Sequence, residues 1–156
     1  MESIMSLQYD WVKGSRKVLL QYCDDISATD FCTENSSFGR GSIRNLLVHI
    51  ANAYEFWLGQ QALKKDMVFT SYESVGNVEE TRQLFGTIDE LVEEFIINFS
   101  RSYLTNLKVN SNNTSTKANP LKLFTNVITH EYHHKGQVLS LSRHLGYTPV
   151  DTDIMR

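Results

Sequence analysis

Proline is nearly absent from this sequence: only Pro120 and Pro149 occur in 156 residues. Little in the chain therefore forbids helix, because proline removes a helical donor and crowds the preceding turn. Cysteine is as scarce. Cys23 and Cys32 are too few for a disulfide framework and form no Cys-x-x-Cys pair, so both are read as small, partly buried thiols in a reducing compartment. Charge of one sign is missing too. The net charge is −3 and the pI about 5.9, with no run of Lys and Arg. That excludes a nucleic-acid binder, which needs a basic face for phosphates. No apolar stretch approaches the roughly 20 residues that cross a bilayer. The first ten residues carry Glu2 and Asp10 and lack the basic and apolar regions of a leader, so a cytoplasmic chain is expected, with no membrane partner.

The composition that remains is that of an ordinary globular domain, 41% hydrophobic and 21% charged. It suffices for one domain spanning 1–156 with a core of its own. Four amphipathic segments carry helical periodicity. The first runs from about Ser6 to Asp24, with Leu7, Trp11, Val18, Leu19 and Tyr22 recurring on one side. Residues 25–41 lose the pattern and read as a loop. The second starts at Ser42, a good N-cap, and carries Ile43, Leu46, Leu47, Ile50, Ala53, Tyr54 and Trp57 inward before fading near Lys64 and Lys65. The third begins at Asn77 with Glu80 as its capping partner, and Leu84, Phe85, Ile88, Leu91, Val92, Phe95 and Phe99 carry its core stripe. Its acidic run, Glu90, Glu93 and Glu94, reads as a solvated face. The polar stretch 109–118 reads as a loop. The fourth opens at Asn119-Pro120 and runs to Leu145, with Gly146 as its stop and an irregular tail beyond. The expected fold is all-α, a four-helix bundle. Links of this length point to a crossover joining parallel helices.

The histidines carry the chemistry. The fourth helix contains His130-Glu131-Tyr132-His133-His134. Residues four apart share a helical face, so His130 and His134 form a pincer. On the wheel they fall inside the arc of Leu123, Val127, Val138, Leu141 and Leu145, so two imidazoles face the core. His133 is turned by about 100°, and His144 sits about 15 Å beyond His134 along the axis, too far to share a metal with His130. His49 leans inward from the edge of the second helix's apolar arc. Three histidines from two helices leave a metal an open position, which is the catalytic pattern, and neutral imidazole suits Zn, Ni, Cu or Fe. Protons compete for such a site, so a bound ion should leave as pH falls below about 6. Two other readings stand beside this one. The histidines are core residues bonded to Glu131, Tyr132 or buried water. Or the literal His-Glu-x-x-His string makes Glu131 the general base of a zincin-like peptidase. Gln137, one turn after His134, and Glu131 are the residues expected to support the site or the substrate. Gly136 is expected to admit a close helix approach.

The segment His130-Glu-Tyr-His-His134-Lys-Gly-Gln137 resembles the closing helix of the DinB/YfiT-like superfamily. Ser42 to Trp57, with its His49, resembles that family's other motif, in the expected order. The resemblance implies a four-helix bundle with a crossover, a homodimer, and one divalent transition metal, Zn, Ni or Fe, on His49, His130 and His134. It implies a metal-dependent S-transferase or isomerase that uses a low-molecular-weight thiol; with the open metal position, the expected activity is a thiol S-transferase or hydrolase acting on a small molecule. It also admits a non-catalytic, dimeric metal-binding stress-response protein.

Overall fold

The computed structural model describes residues 3–156. Met1 and Glu2, part of the stretch read above for a leader, lie outside it. In chain order the elements are α1 (Ile4–Cys23), α2 (Ala28–Cys32), α3 (Ile43–Tyr54), a π-helical segment (Glu55–Ala62), a 3₁₀ turn (Tyr72–Ser74), α4 (Val78–Phe99), β1 (Leu107–Ser111), β2 (Thr114–Ala118) and α5 (Pro120–His144).

Each long helix starts where a side chain takes up an unpaired N–H. Ser42 Oγ accepts from Asn45 at 3.0 Å, Asn77 Oδ1 from Glu80 at 2.9 Å and Asn119 Oδ1 from Lys122 at 2.8 Å. Pro120 stands at the first position of α5, where its missing donor costs nothing. Gly146, at φ +99°, ends that helix, and the Tyr147 N–H closes the turn on Ser142 O at 3.0 Å.

α3 packs against α4 and α5, and α1 packs against the same two helices. Among the described residues, neither α1 with α3 nor α4 with α5 is a main packing pair. The connections 24–42 and 100–119 therefore run between helices that are not packed neighbours, which accounts for their length. The core is mostly apolar, with Leu46, Tyr54, Phe95, Phe124, Val127 and Leu141 fully buried. Among the described residues, no helix is long and apolar enough to cross a membrane.

Four expectations are corrected. The inward face of α1 is Met5, Tyr9, Val12, Arg16 and Leu19, while Trp11 is 52% exposed and Leu7 lies on the outer side. The stretch 25–41 is not all loop: Ser27 caps α2, which buries Phe31. The second helix does not simply fade. It widens into the π-helical segment, where Met67 lies over Gly59: a Cβ there would stand 2.8 Å from Met67 Sδ, so the methionine would have to shift. The polar stretch 109–118 is an antiparallel hairpin, not a loop. Asn112 and Asn113, at φ +51° and +59°, make the tight turn that the right-handed strand twist favours. Val109 anchors the hairpin in the core, and Gln61 Oε1 accepts the Asn110 N–H at 2.6 Å.

Candidate metal centre

Where α3 and α5 meet, three imidazoles aim the same nitrogen at one point. His130 Nε2 lies 3.1 Å from His49 Nε2 and 3.0 Å from His134 Nε2. Donor atoms of all three residues lie within 4.8 Å of one another. His130 and His134 meet because they are four apart on α5. His49 arrives from α3 because that helix turns Leu46, Ile50 and Tyr54 into the core and leaves His49 on the side facing α5.

The donor set fits a metal ion. A tetrahedral ion with Zn–N bonds of about 2.0–2.1 Å holds its ligand nitrogens about 3.3–3.4 Å apart. The Nε2 contacts of 3.0 and 3.1 Å need open by only a few tenths of an ångström to meet that. The tautomer is also right. Gln137 Oε1 lies 2.6 Å from His134 Nδ1. A carboxamide oxygen only accepts, so Nδ1 carries the proton and Nε2 presents a lone pair to the common point. His130 Nδ1 is buried with no partner among the described residues. An ion on Nε2 would leave this Nδ1 as it is, so the fit rests on the convergent Nε2 atoms and on His134.

The electrostatics favour neutral rings, the form that binds a cation. Burial lowers the pKa of His49 to about 4, and the charge of Arg40 and the other two histidines add to the effect. Burial likewise lowers His130 to about 4, with His134, His133 and Arg40 adding and Glu131 opposing. His134 is lowered by burial, against the raising effect of its Gln137 hydrogen bond.

Glu131 touches none of the three imidazoles, so the readings that make it their hydrogen-bond partner or the general base of a peptidase are corrected. It is fully buried. Arg16 grips it with two bonds of 2.9 Å, Nε to Oε1 and Nη2 to Oε2, and Tyr54 Oη donates to Oε2 at 2.6 Å. Burial alone would raise its pKa, but Arg16, Lys135 and Tyr54 hold it below the usual carboxylate value. A carboxylate so committed is a poor general base for a peptidase. Nor do Glu131 and Tyr132 bond the histidines: the Tyr132 ring lies 4.1 Å from Lys135 Nζ. His133 is exposed, and His144 stacks on Phe38 at 5.6 Å between ring centroids, so neither joins the cluster. Gly136 is exposed, and a Cβ there would meet nothing within 4 Å, so it serves no close approach.

The ion network around Glu131 was not read from the sequence. Arg16 also donates to Asp89 at 2.7 Å, Tyr9 Oη donates to Asp89 at 2.7 Å, and Lys135 donates to Ser15 Oγ at 2.8 Å. The signal lay in periodicity: Arg16 continues the series Tyr9, Val12, and Glu131 and Lys135 stand four apart on the core side of α5. Each follows a histidine of the cluster by one residue. Rolling α5 to move His130 and His134 away would therefore pull Glu131 and Lys135 out of their bonds. The network fixes the helix rotation that presents the two imidazoles.

The fold and site define a mostly helical protein, with one small hairpin, whose histidine cluster is able to hold a metal ion. The chain belongs to the DinB family: that family's model matches residues 1–156, the whole chain. No curated protein matches it.

Proposed function

We propose that this chain is a divalent-metal-dependent enzyme, a thiol S-transferase or hydrolase acting on a small molecule. The observation that carries the reading is the convergence of three Nε2 atoms from two helices, with His134 oriented by Gln137. Three imidazoles would hold Zn, Ni or Fe and leave a position for an incoming ligand. An ion held there supplies Lewis acidity and lowers the pKa of a bound water or thiol. The chain's own part is to keep three neutral nitrogens aligned. Burial keeps protons off the rings, Gln137 sets the His134 tautomer, and the Arg16–Glu131 pair locks α5 in rotation. A low-molecular-weight thiol is the proposed partner, as the family resemblance implies.

In the same reading the four long helices form one bundle over 1–156, with crossing connections, and two copies associate as a homodimer. Cys23 and Cys32 are free thiols, which suits the reducing cytoplasm. The test is elemental analysis of protein purified without a metal column, followed by titration of the cobalt-loaded protein with 2-mercaptoethanol. One ion per chain and a thiolate-to-metal absorption band are expected. An ion that binds but admits no thiol contradicts the transferase reading.

A further inference from the structure

We infer that Arg40 is an anion-binding residue of the metal centre, so that the small molecule received there carries an oxyanionic group, carboxylate or phosphate, beside its metal-binding atom. The inference rests on the proposed function and narrows its substrate.

The loop before α3 is built, not slack. The Asn35 N–H donates to Gly41 O at 2.6 Å, and the Gly41 N–H to Phe38 O at 3.1 Å. Asn45, itself buried, donates from Nδ2 to Arg40 O at 2.8 Å and so fixes the root of the Arg40 side chain. This loop lies on the helix that carries the site. A Cβ on Gly39 would stand 3.9 Å from Nε2 of Gln137, the residue that orients His134. Phe38 rests on the His144 ring. Arg40 thus projects from a fixed backbone beside the residues that present the centre.

Its backbone is also unusual. Arg40 adopts φ +65°, a left-handed conformation that a side chain with a Cβ disfavours. Such positions persist where the surroundings impose them, and they cluster at ligand sites. Arg40 is exposed, and among the described residues its guanidinium has no carboxylate or hydrogen-bond partner. Other cations do pair: Arg16 with Glu131, Arg82 with Asp24 and Lys13 with Asp10.

The charge count points the same way. The three histidines are neutral donors, and among the described residues no carboxylate belongs to the cluster. A divalent ion there would bring two positive charges, and Arg40, next in sequence to the Gly39 that lies against the Gln137 carboxamide, adds a third. A neutral ligand would leave that field unbalanced, whereas an oxyanion would balance it and meet the planar fork of the guanidinium.

The test is ligand binding to cobalt-loaded protein, read by the thiolate-to-metal band, in the wild type and in Arg40→Asn and Arg40→Lys. Asparagine tolerates the left-handed conformation, so the first variant removes the charge without added strain. The probes are 3-mercaptopropionate, 2-mercaptoethyl phosphate and the neutral 2-mercaptoethanol. The wild type is expected to bind at least one of the two anionic thiols about tenfold more tightly than the neutral one. Arg40→Asn should lose that preference while keeping cobalt and its affinity for 2-mercaptoethanol, and Arg40→Lys should fall between. A wild type with no preference, or a preference that survives Arg40→Asn, overturns the inference alone. A protein that takes no cobalt overturns the metal-centre reading, and the inference with it.

Discussion

His134 Nδ1 and Gln137 Oε1 lie 2.6 Å apart, three residues along α5. That contact decides which nitrogen of His134 is free. With Nδ1 as donor, the Nε2 lone pair faces the nitrogens of His49 and His130. Replacing Gln137 by leucine removes the acceptor and frees the ring to change tautomer or rotate. Metal affinity should fall by about 10–100-fold, the usual cost of losing such a partner. Gln137→Glu, which keeps an acceptor, should retain most of it. A chromophoric chelator competition measures both, and equal affinities for wild type and Gln137→Leu would remove the orienting role.

The ligand assignment separates the five histidines. His49→Ala, His130→Ala and His134→Ala should each lose the ion on dialysis. His133→Ala and His144→Ala should keep it, because the first ring is exposed and the second packs on Phe38. Metal content per chain after dialysis is the measurement. Full retention by His49→Ala would show that α3 contributes no ligand.

Much of this was legible in the sequence because it depends on local rules. The caps at Ser42, Asn77 and Asn119, the stop at Gly146 and the four-residue spacing of His130 and His134 all follow from helix geometry. The convergence of His49 on that pair was a wheel argument, and the packing of α3 on α5 realises it. What escaped depended on contacts between distant segments. Arg16, Glu131 and Lys135 are charged, so composition assigns them to the surface, yet both cations pair with Glu131 inside the core, and Arg16 also with Asp89. The hairpin carried a local signal, Asn112-Asn113 between β-branched residues, that its polarity obscured. Trp11 was placed inward by its four-residue spacing from Leu7, but the packing of α1 is decided by Tyr9, Val12 and Arg16.

The buried pair itself should be costly to break. Glu131→Ala leaves Arg16 and Lys135 without their carboxylate in a region closed to water. The expected loss is about 3–5 kcal/mol of unfolding free energy. Urea unfolding, read from the midpoint at unchanged slope, measures it. A loss below about 1 kcal/mol would mean that water reaches these cations in the variant.

Acid should destabilise the metal-free protein through the histidines. Folded His49 and His130 titrate at about 4, whereas an unfolded histidine titrates near 6.5. Between those values the unfolded chain binds more protons, so folding stability falls as pH drops from about 6.5 toward 4. The depressed values also shift the expected onset of metal loss to a pH below the 6 or so of unperturbed histidines. Urea midpoints between pH 7 and 4.5 check the first point. An acid slope unchanged in the His49→Phe, His130→Phe double variant would assign the effect to other groups.

The most direct measurement is the melting temperature of chelator-stripped protein at neutral pH, with and without added Zn²⁺ or Ni²⁺. An ion that binds the folded chain far better than the unfolded one must raise that temperature, and raise it further with concentration. The wild type should show this rise. A protein with His49, His130 and His134 all replaced by alanine should show none. A wild-type melting temperature that the added ion leaves unchanged would contradict the metal centre and the function proposed on it.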